Sequence, residues 1–313
     1  MQLKLTEKCN KFLEKGSIDE LKQTVQPCFR HLNNRNVFRS AIMLSCHNVN
    51  HLLKIPTLDA ECIMLNLEDG VSIDQKPLAL IMCGWVLSQL PLCSKKLVVR
   101  VNALNEGGKE EIAYLNAFMP DAIRIPKVRS ISDVQTALDL IDSRIEVHLS
   151  IETKEAWAAL SSLRIDERVK VFYLGILDLL ADLDLPHSLI HPDNPMIHYI
   201  LSHFLITSKA VGVKPVSFVY QNHKNEDGLR DWLELEKALG YTSKGCISPN
   251  QVTLIHSVFA HNRDEIERAH EIIKLFEEAQ ARGITGFVHE RYGFIDEPIY
   301  KGALSVLRHA HIN

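Results

Sequence analysis

Short apolar runs alternate with amphipathic segments between about residue 40 and residue 250. The runs are three to six residues long and rich in Val, Ile and Leu, which is typical of strands that are buried on both faces. The eight strands that this pattern predicts are Ala41–Leu44, Cys62–Leu67, Leu97–Asn102, Ala122–Ile125, Glu146–Ile151, Val169–Leu174, Val216–Val219 and Gly245–Ile247. The helices predicted between them include Gln75–Leu90, Ile131–Ile141, Pro195–Val211 and Leu229–Leu239.

This alternation predicts a (β/α)8 TIM barrel, because strands that take turns with helices form parallel sheets. The 313 residues suit one barrel with appendages. A doubly wound open sheet is the alternative, and periodicity alone does not exclude it. Hydrophobic residues make up 46% of the chain and charged residues 24%, so a large core can form without disulfides or a structural metal.

Two segments lie outside the alternation, and we therefore predict three parts: residues 1–36, 37–250 and 251–313. The first part has the pattern of two short helices with polar faces, an N-terminal extension to the barrel. The last part begins with a long helix, about Arg263–Arg282, and continues through a glycine-containing mixed segment. It ends with a helix from about Ile299 to His309.

Charge and composition exclude several classes of protein. A formal net charge of −4 gives no reason to expect a nucleic acid or an anionic membrane as partner. No run of 18 apolar residues predicts a membrane-spanning helix, and the first 16 residues lack the apolar stretch of a signal peptide. The 7 cysteines form no C-x-x-C pair, which favours reduced thiols in the cytoplasm. We expect a cytoplasmic protein.

Charged side chains follow five successive predicted strands at their carboxyl ends. They are Glu68 and Asp69 after the second strand, Arg100 in the third, Lys127 after the fourth, Glu152 at the end of the fifth and Asp178 after the sixth. Any one of them alone is as readily explained by a helix cap or an ion pair. Together they predict an active site, because barrel enzymes build their sites at this rim from several strands.

The residue types at this rim indicate a metal-dependent chemistry. Glu152 and Asp178 are carboxylates after neighbouring strands, and two carboxylates with waters and substrate oxygens suit Mg²⁺. Arg100 offers a rigid, two-pronged positive charge for a carboxylate or a developing oxyanion. Glu68 and Asp69 are placed to orient Arg100 or a metal-bound water. The set predicts chemistry on a small oxyacid that chelates the metal.

Ordered motifs between residues 39 and 303 carry a resemblance to a known family. They include Arg39-Ser40, Leu67-Glu68-Asp69-Gly70-Val71, Val99-Arg100-Val101-Asn102-Ala103, Ile125-Pro126-Lys127-Val128, Ile151-Glu152-Thr153, Asp178-Leu179 and Phe294-Ile295-Asp296. With these motifs the chain resembles the citrate lyase beta-subunit-like family, which includes malyl-CoA and citramalyl-CoA lyases. The resemblance implies a (β/α)8 barrel followed by helices and a flap.

The resemblance also implies an activity. Glu152 and Asp178 match magnesium ligands, and Arg100 matches an arginine that contacts the substrate at the metal. Arg39 and Lys127 are predicted to bind substrate. The implied enzyme is a Mg²⁺-dependent carbon–carbon lyase, which cleaves the CoA thioester of a 2-hydroxy acid into a 2-oxo acid and an acetyl-thioester enolate. The expected partner is therefore a small hydroxy or oxo acid as its CoA thioester.

Asp296 allows two interpretations. In the family, the matching aspartate is catalytic and lies on a flap that reaches the site of a neighbouring subunit. That role implies a homo-oligomer, a trimer or hexamer, with shared active sites. The simpler interpretation is that Asp296, followed by Glu297 and Pro298, caps the last helix.

Some positions depart from the family pattern around the thioester arm and in one acidic motif. These positions are Ser45, Cys46, Leu80, Arg129 and Ser248, together with Asn66 in place of an aspartate. The metal and oxyacid positions are kept, so the CoA part of the substrate is implied less directly than the metal. An aldolase acting on a free 2-oxo acid, a lyase using an acyl-carrier thioester and a non-catalytic metabolite-binding barrel remain alternatives.

Overall fold

The computed structural model describes residues 2–13, 17–28, 30–260 and 263–310. Its contacts divide the chain into one unit that ends at Val258 and a second that begins at Phe259. The boundary expected after residue 250 falls within the helix Pro249–Val258, which contacts the first strand and so belongs to the first unit.

Eight parallel strands form the centre of the first unit. They are β1 Ser40–Ser45, β2 Cys62–Asn66, β3 Lys96–Arg100, β4 Ala122–Ile125, β5 Glu146–Ile151, β6 Val169–Leu174, β7 Lys214–Val216 and β8 Lys244–Cys246. Neighbours in sequence are neighbours in space, and β1 also pairs with β8. Ser217 joins β7 to β8: its N donates to O of Ser243 and its O accepts from N of Gly245, each at 3.0 Å. The predicted (β/α)8 barrel is confirmed.

Helices surround this barrel. They are α1 Gln2–Leu13, α2 Ile18–Thr24, α3 Val49–Leu52, α4 Lys76–Gln89, α5 Lys109–Leu115, α6 Ile131–Leu140, α7 Lys154–Ala158, α8 Ile176–Asp182, α9 Pro195–Ala210, α10 Glu226–Leu239 and α11 Pro249–Val258. Local sequence explains their ends. Ser130 and Asp133 form a capping box that begins α6. The side chain of Asn225 accepts from N of Gly228, so α10 begins three residues before its predicted start.

The segment between α2 and β1 crosses the amino ends of the strands. Nη2 of Arg30 lies 3.4 Å from Oδ1 of Asp121, the residue before β4, and N of Asn33 donates to the same oxygen at 2.8 Å. Further towards the N-terminus, the ring of Phe12 in α1 stacks on Trp85 of α4 at 5.6 Å between centroids. The described residues of this N-terminal part therefore pack at the base of the barrel, at the end opposite to the predicted site.

A chain of polar contacts runs through the lower part of the barrel. Nζ of Lys96 lies 2.8 Å from Oε2 of Glu146, and Nε2 of His148 lies 3.3 Å from the same oxygen. On the other side of the imidazole, Nδ1 of His148 lies 3.3 Å from the hydroxyl of Tyr173. Burial lowers the pKa of His148 to about 4, even though Glu146 acts to raise it. His148 is therefore neutral in the folded barrel at neutral pH.

A buried ion pair lies behind the join between β7 and β8. Nζ of Lys244 lies 2.5 Å from Oε1 of Glu236 in α10, and both side chains are fully buried. The hydroxyl of Ser217 donates to the same carboxylate oxygen. Burial raises the pKa of Glu236 and lowers that of Lys244, so each charge depends on the other.

The second unit consists of two helices and a hairpin: α12 Arg263–Gln280, β9 Gly286–His289, β10 Gly293–Asp296 and α13 Glu297–Ala310. Its small core contains Ile272, Phe276 and Ile295, and Phe276 stacks on Tyr300 at 4.7 Å between centroids. The mixed segment of the sequence is thus an antiparallel hairpin. Within the residues that the structure describes, no helix is long and apolar enough to cross a membrane.

The pair behind the join gives a test of stability. Lys244→Met should lower the free energy of unfolding by about 3–5 kcal/mol, because it leaves the Glu236 carboxylate buried without its cation. Urea denaturation measures this loss. The double variant Lys244→Met/Glu236→Leu should recover most of it, since no unpaired charge remains. Arg144→Met, at an exposed ion pair, serves as control and should stay within about 0.5 kcal/mol of wild type. A loss below about 1 kcal/mol in the single variant would contradict the assignment.

His148 gives a test by pH. A group whose pKa is lowered by folding stabilises the fold above its unfolded pKa, and that contribution is lost as pH falls towards the folded pKa. For His148 this pH range runs from about 6.5 down to about 4, and the free energy of unfolding should fall by about 3 kcal/mol across it. His148→Gln should therefore flatten the dependence of unfolding free energy on pH across this window. Parallel pH profiles for variant and wild type would show that His148 does not contribute.

Candidate active site

A cavity of about 330 Å³ opens at the carboxyl ends of the strands. Its apolar surface includes Met43, Met64 and Phe218. Its polar side chains are Asp69, Arg100, Arg124, Glu152, Tyr173, Asp178, Ser217 and Gln221. Four of the predicted site residues, Asp69, Arg100, Glu152 and Asp178, thus face one space, as expected when parallel strands end at the same edge.

Arg100 is the last residue of β3 and is held on three sides. Its Nε donates to Oδ1 of Asn66 at 2.7 Å, and its Nη1 lies 2.8 Å from Oε2 of Glu68. Its Nη2 lies 3.5 Å from the backbone oxygen of Asp69. Burial raises the pKa of Glu68 to about 7, although the charge of Arg100 opposes this rise. Glu68 and Asp69 therefore contact Arg100, and Asn66 fixes its orientation.

Glu152 follows β5 directly, and Asp178 lies in the first turn of α8. Oε1 of Glu152 accepts from the backbone N of Lys127 at 2.7 Å. Gly175, between β6 and α8, leaves the room that Glu152 occupies: a Cβ at this position would lie 2.6 Å from Oε2 of Glu152. A larger residue at 175 would displace the carboxylate.

Lys127 lies beside both carboxylates. Its Nζ is 2.5 Å from Oδ1 of Asp178. Burial alone would lower the pKa of Lys127, but the charges of Glu152 and Asp178 raise it. The backbone φ of Lys127 is +51°, a left-handed conformation that residues other than glycine rarely adopt. The backbone is thus strained at the residue whose ammonium group lies at the site.

The carboxylate pair fits a divalent cation. The Lys127 ammonium already places a positive charge beside both groups, and two carboxylate ligands leave positions for water and substrate oxygens. The side chains of Lys127 and Asp178 are 31% and 44% exposed, so their ion pair is weak and can open. Among the described residues, no group of three His, Cys, Asp or Glu side chains could hold a metal. The remaining ligands would therefore come from water and substrate.

Arg39 is not brought to this rim. It precedes β1, and its neighbour Ser40 pairs with Lys244 at the start of β8. Its Nη2 lies 2.6 Å from Oε1 of Glu61, the residue before β2. Both residues therefore lie at the amino ends of their strands, across the barrel from the cavity. This geometry does not support the predicted substrate contact, because a residue that precedes a strand lies at the opposite end from one that follows it.

Asp296 ends β10 in the second unit. Its Oδ1 accepts from the backbone N of Ile299 at 3.2 Å, in the first turn of α13. This contact is the helix cap of the simpler interpretation. The catalytic role of Asp296 stays a prediction.

Strand-end reasoning missed several residues that line or support the cavity. Arg124 and Tyr173 line it from within β4 and β6, and Ser150 in β5 contacts Arg124. The sequence did contain a sign of Arg124, because an arginine in the middle of a short apolar strand is unusual. Side chains alternate along β4, so residue 124 lies on the same face as Ala122 in the barrel core.

A second cavity of about 640 Å³ lies beside the first and shares Asp69 and Gly70 with it. Its cationic side chains are Lys76, Lys109, Lys127 and Arg129. Nζ of Lys76 donates to Oδ1 of Asn102, and Arg129 pairs with Glu155. The acidic side chains Glu68, Asp69, Glu106 and Asp133 also line this cavity, so its lining carries charges of both signs.

Comparison with known proteins identifies relatives of this chain. The chain is 31% identical to a (3S)-malyl-CoA thioesterase of Cereibacter sphaeroides, over 79% of this chain and 85% of that protein. It is 26% identical to the citrate lyase subunit beta of Leuconostoc mesenteroides, over 90% and 96% of the two chains.

Among solved structures, the CitE protein of Mycobacterium tuberculosis in complex with magnesium, acetoacetate and coenzyme A matches with a TM-score of 0.70 at 21% identity. The match covers 88% of this chain and 99% of that one, which shows a shared fold. Residues 39–249 match the pattern of a single family, and they contain the whole barrel from β1 to β8. The chain belongs to the HpcH/HpaI aldolase/citrate lyase family.

Proposed function

We propose that this protein is a Mg²⁺-dependent carbon–carbon lyase that cleaves the CoA thioester of a 2-hydroxy acid, or forms it by Claisen condensation. Citramalyl-, malyl- and citryl-CoA are the substrates of the kind we expect. The observation that carries the proposal is that Glu152 and Asp178 face one cavity together with the anchored Arg100. The similarity to citrate lyase beta and malyl-CoA proteins supports it.

Glu152 and Asp178 would hold the metal. Mg²⁺, when bound, supplies Lewis-acid polarisation worth several kcal/mol. The partly exposed ion pair of Lys127 with Asp178 would open as the metal binds, because the charge of the metal would repel the nearby ammonium group. Its ammonium would then be available to a substrate oxygen at the edge of the cavity, in line with its predicted role in substrate binding.

Arg100 would stabilise the negative charge that develops on the substrate. Its Nε and Nη1 are held by Asn66 and Glu68. The guanidinium therefore needs little reorganisation when the negative charge forms on the substrate. One such donor contributes roughly 3 kcal/mol. In the cleavage the substrate hydroxyl gives one proton to a base, and its oxygen becomes the carbonyl oxygen of the 2-oxo acid. The carbon–carbon bond breaks, and the electron pair of that bond forms the thioester enolate, so the one proton lost is balanced by the one taken up next. The enolate carbon then takes a proton.

The second cavity offers space beside the first for the CoA part of a thioester substrate. Its cationic side chains suit the phosphates of coenzyme A, and it meets the first cavity at Asp69 and Gly70. Ser45, at the carboxyl end of β1, lies close to Gly70 in the same region. Two of the altered positions, Ser45 and Arg129, therefore adjoin the second cavity. All seven cysteines are free, which agrees with a reducing compartment such as the cytoplasm.

The metal carboxylates give the direct test. Glu152→Gln and Asp178→Asn should each weaken Mg²⁺ binding by about a hundredfold and abolish release of 2-oxo acid, because an amide oxygen carries no charge for a hard cation. Calorimetry measures the metal, and an assay with citramalyl-, malyl- and citryl-CoA beside the free acids measures the reaction.

The matched control is Glu267→Gln, at an exposed ion pair with Arg263. It should change neither property. Unchanged Mg²⁺ affinity in both Glu152→Gln and Asp178→Asn would overturn the metal assignment. Turnover of the free acids alone would favour an aldolase.

We also propose that Asp296 supplies the proton partner of the enolate carbon in a neighbouring subunit, within a homotrimer or homohexamer. Gly286 and Gly293 allow its hairpin to bend, and the Ile299 contact that holds its carboxylate is a single exposed hydrogen bond. A carboxyl group that closes over bound substrate could exchange this proton.

Subunit mixing tests this role. Arg100→Ala and Asp296→Ala should each be inactive, and activity should return when the two are mixed under conditions that exchange subunits. The reason is that crossed assemblies contain sites with both groups intact. Asp296→Asn keeps the helix cap, so a fully active Asp296→Asn enzyme would show that the residue only caps α13. Proven exchange without recovered activity would rule out the shared site.

A further inference from the structure

Arg124 is a charged residue inside the barrel that has no role in the proposed reaction so far. It lies in β4, where its register partners are Arg100 of β3 and His148 of β5. Only 6% of its surface is exposed, and that part of the side chain lines the 330 Å³ cavity. Taking a guanidinium out of water is costly unless an anion compensates its charge.

Other buried cations of this protein are compensated by a carboxylate. Arg30, Lys96, Arg100 and Lys244, the other buried Arg and Lys residues that the structure describes, each have a carboxylate oxygen at 2.5–3.4 Å. Arg124 differs: within the described part of the chain, no carboxylate oxygen lies within 4.0 Å of its guanidinium. Its neighbour Arg100 carries the same charge. Burial and that charge together lower the pKa of Arg124, although the more distant charges of Glu152 and Glu68 oppose this lowering.

The surroundings of Arg124 orient it without neutralising it. Its Nε donates to Oγ of Ser150 at 2.8 Å, and its Cζ lies 4.3 Å from the centre of the Tyr173 ring. Tyr173 is itself held by His148, as described above. These contacts use one nitrogen and one face of the guanidinium. Among the described residues, none accepts a hydrogen bond from the two terminal nitrogens, and that edge of a guanidinium is the one that binds a carboxylate through two parallel hydrogen bonds.

We propose that Arg124 binds a second carboxylate of the substrate, separate from the oxyacid group at Glu152, Asp178 and Arg100. The proposal rests on the function proposed above and narrows its substrate class. The 2-oxo acid that is released or taken up would be a dicarboxylic acid, with its far carboxylate on Arg124. A monocarboxylic acid would place a methyl group or hydrogen there and leave the buried charge uncompensated.

Two stable 2-hydroxy acids test this selectivity. Malate and lactate differ by one carboxylate, and calorimetry in the presence of Mg²⁺ measures each enantiomer of both. Wild type should bind malate at least about thirtyfold more tightly than lactate, as expected for one charge-assisted, two-pronged contact. Arg124→Met should lose about a hundredfold in malate affinity and stay within about threefold for lactate.

Three further variants make the result specific. Arg124→Lys keeps the charge without the fork and should recover only part of the malate affinity. Ser150→Ala frees Nε of Arg124 and should weaken malate several-fold, which tests the site even if Arg124→Met folds poorly. Arg144→Met removes an exposed charge outside the site and should leave both affinities within about twofold.

The outcomes separate this proposal from the proposed function. Equal binding of malate and lactate to wild type, or full malate affinity in folded Arg124→Met, would overturn the role of Arg124. If Glu152→Gln still abolished binding of both acids in that case, the metal-dependent function would stand. Binding of neither acid to wild type would overturn the carboxylate site at Arg124, whereas the Mg²⁺ titration and the assay with CoA thioesters decide the proposed function separately.

Discussion

Charge compensation inside the ring of eight strands is the constraint on which the rest of the molecule depends. Lys96 with Glu146 lies near the amino ends, Lys244 with Glu236 lies behind the closing strands, and Arg100 with Glu68 lies at the rim. A lone charge in any of these places would destabilise the fold by several kcal/mol, so each pair ties two elements together. The site at the rim is the continuation of this pattern, at the level where water and ligands can take the place of a protein partner.

This pattern explains which parts of the site were predictable from sequence. Arg100, Glu152 and Asp178 were found because they end or follow strands, and all parallel strands deliver their carboxyl ends to one edge. By the same rule Arg39, which precedes a strand, lies at the end of the barrel opposite to the cavity. Its predicted substrate contact came from the family resemblance alone. The fold was predictable for a related reason: strand alternation is a property of local sequence.

Pairing across the ring was not predictable. Arg124 contacts Ser150 and Tyr173 from other strands, and the absence of a carboxylate beside it depends on the register of β3 to β6. The start of β7 shows the same limit on a smaller scale. The sequence predicts this strand from Val216, yet β7 begins at Lys214, whose ammonium lies 4.8 Å from the centre of the Phe38 ring. Contacts between distant positions decided both cases.

The pairing of β1 with β8 has a consequence for how the protein is made. Ser40 and Lys244 are partners in the ring, although most of the barrel lies between them in the chain. During synthesis β1 and the newest strand each present an unpaired edge until residue 246 has left the ribosome. Contacts of such long range make folding slow, and they place the last step of barrel assembly after translation of nearly the whole domain. The nascent chain is therefore exposed to edge-to-edge association for that time.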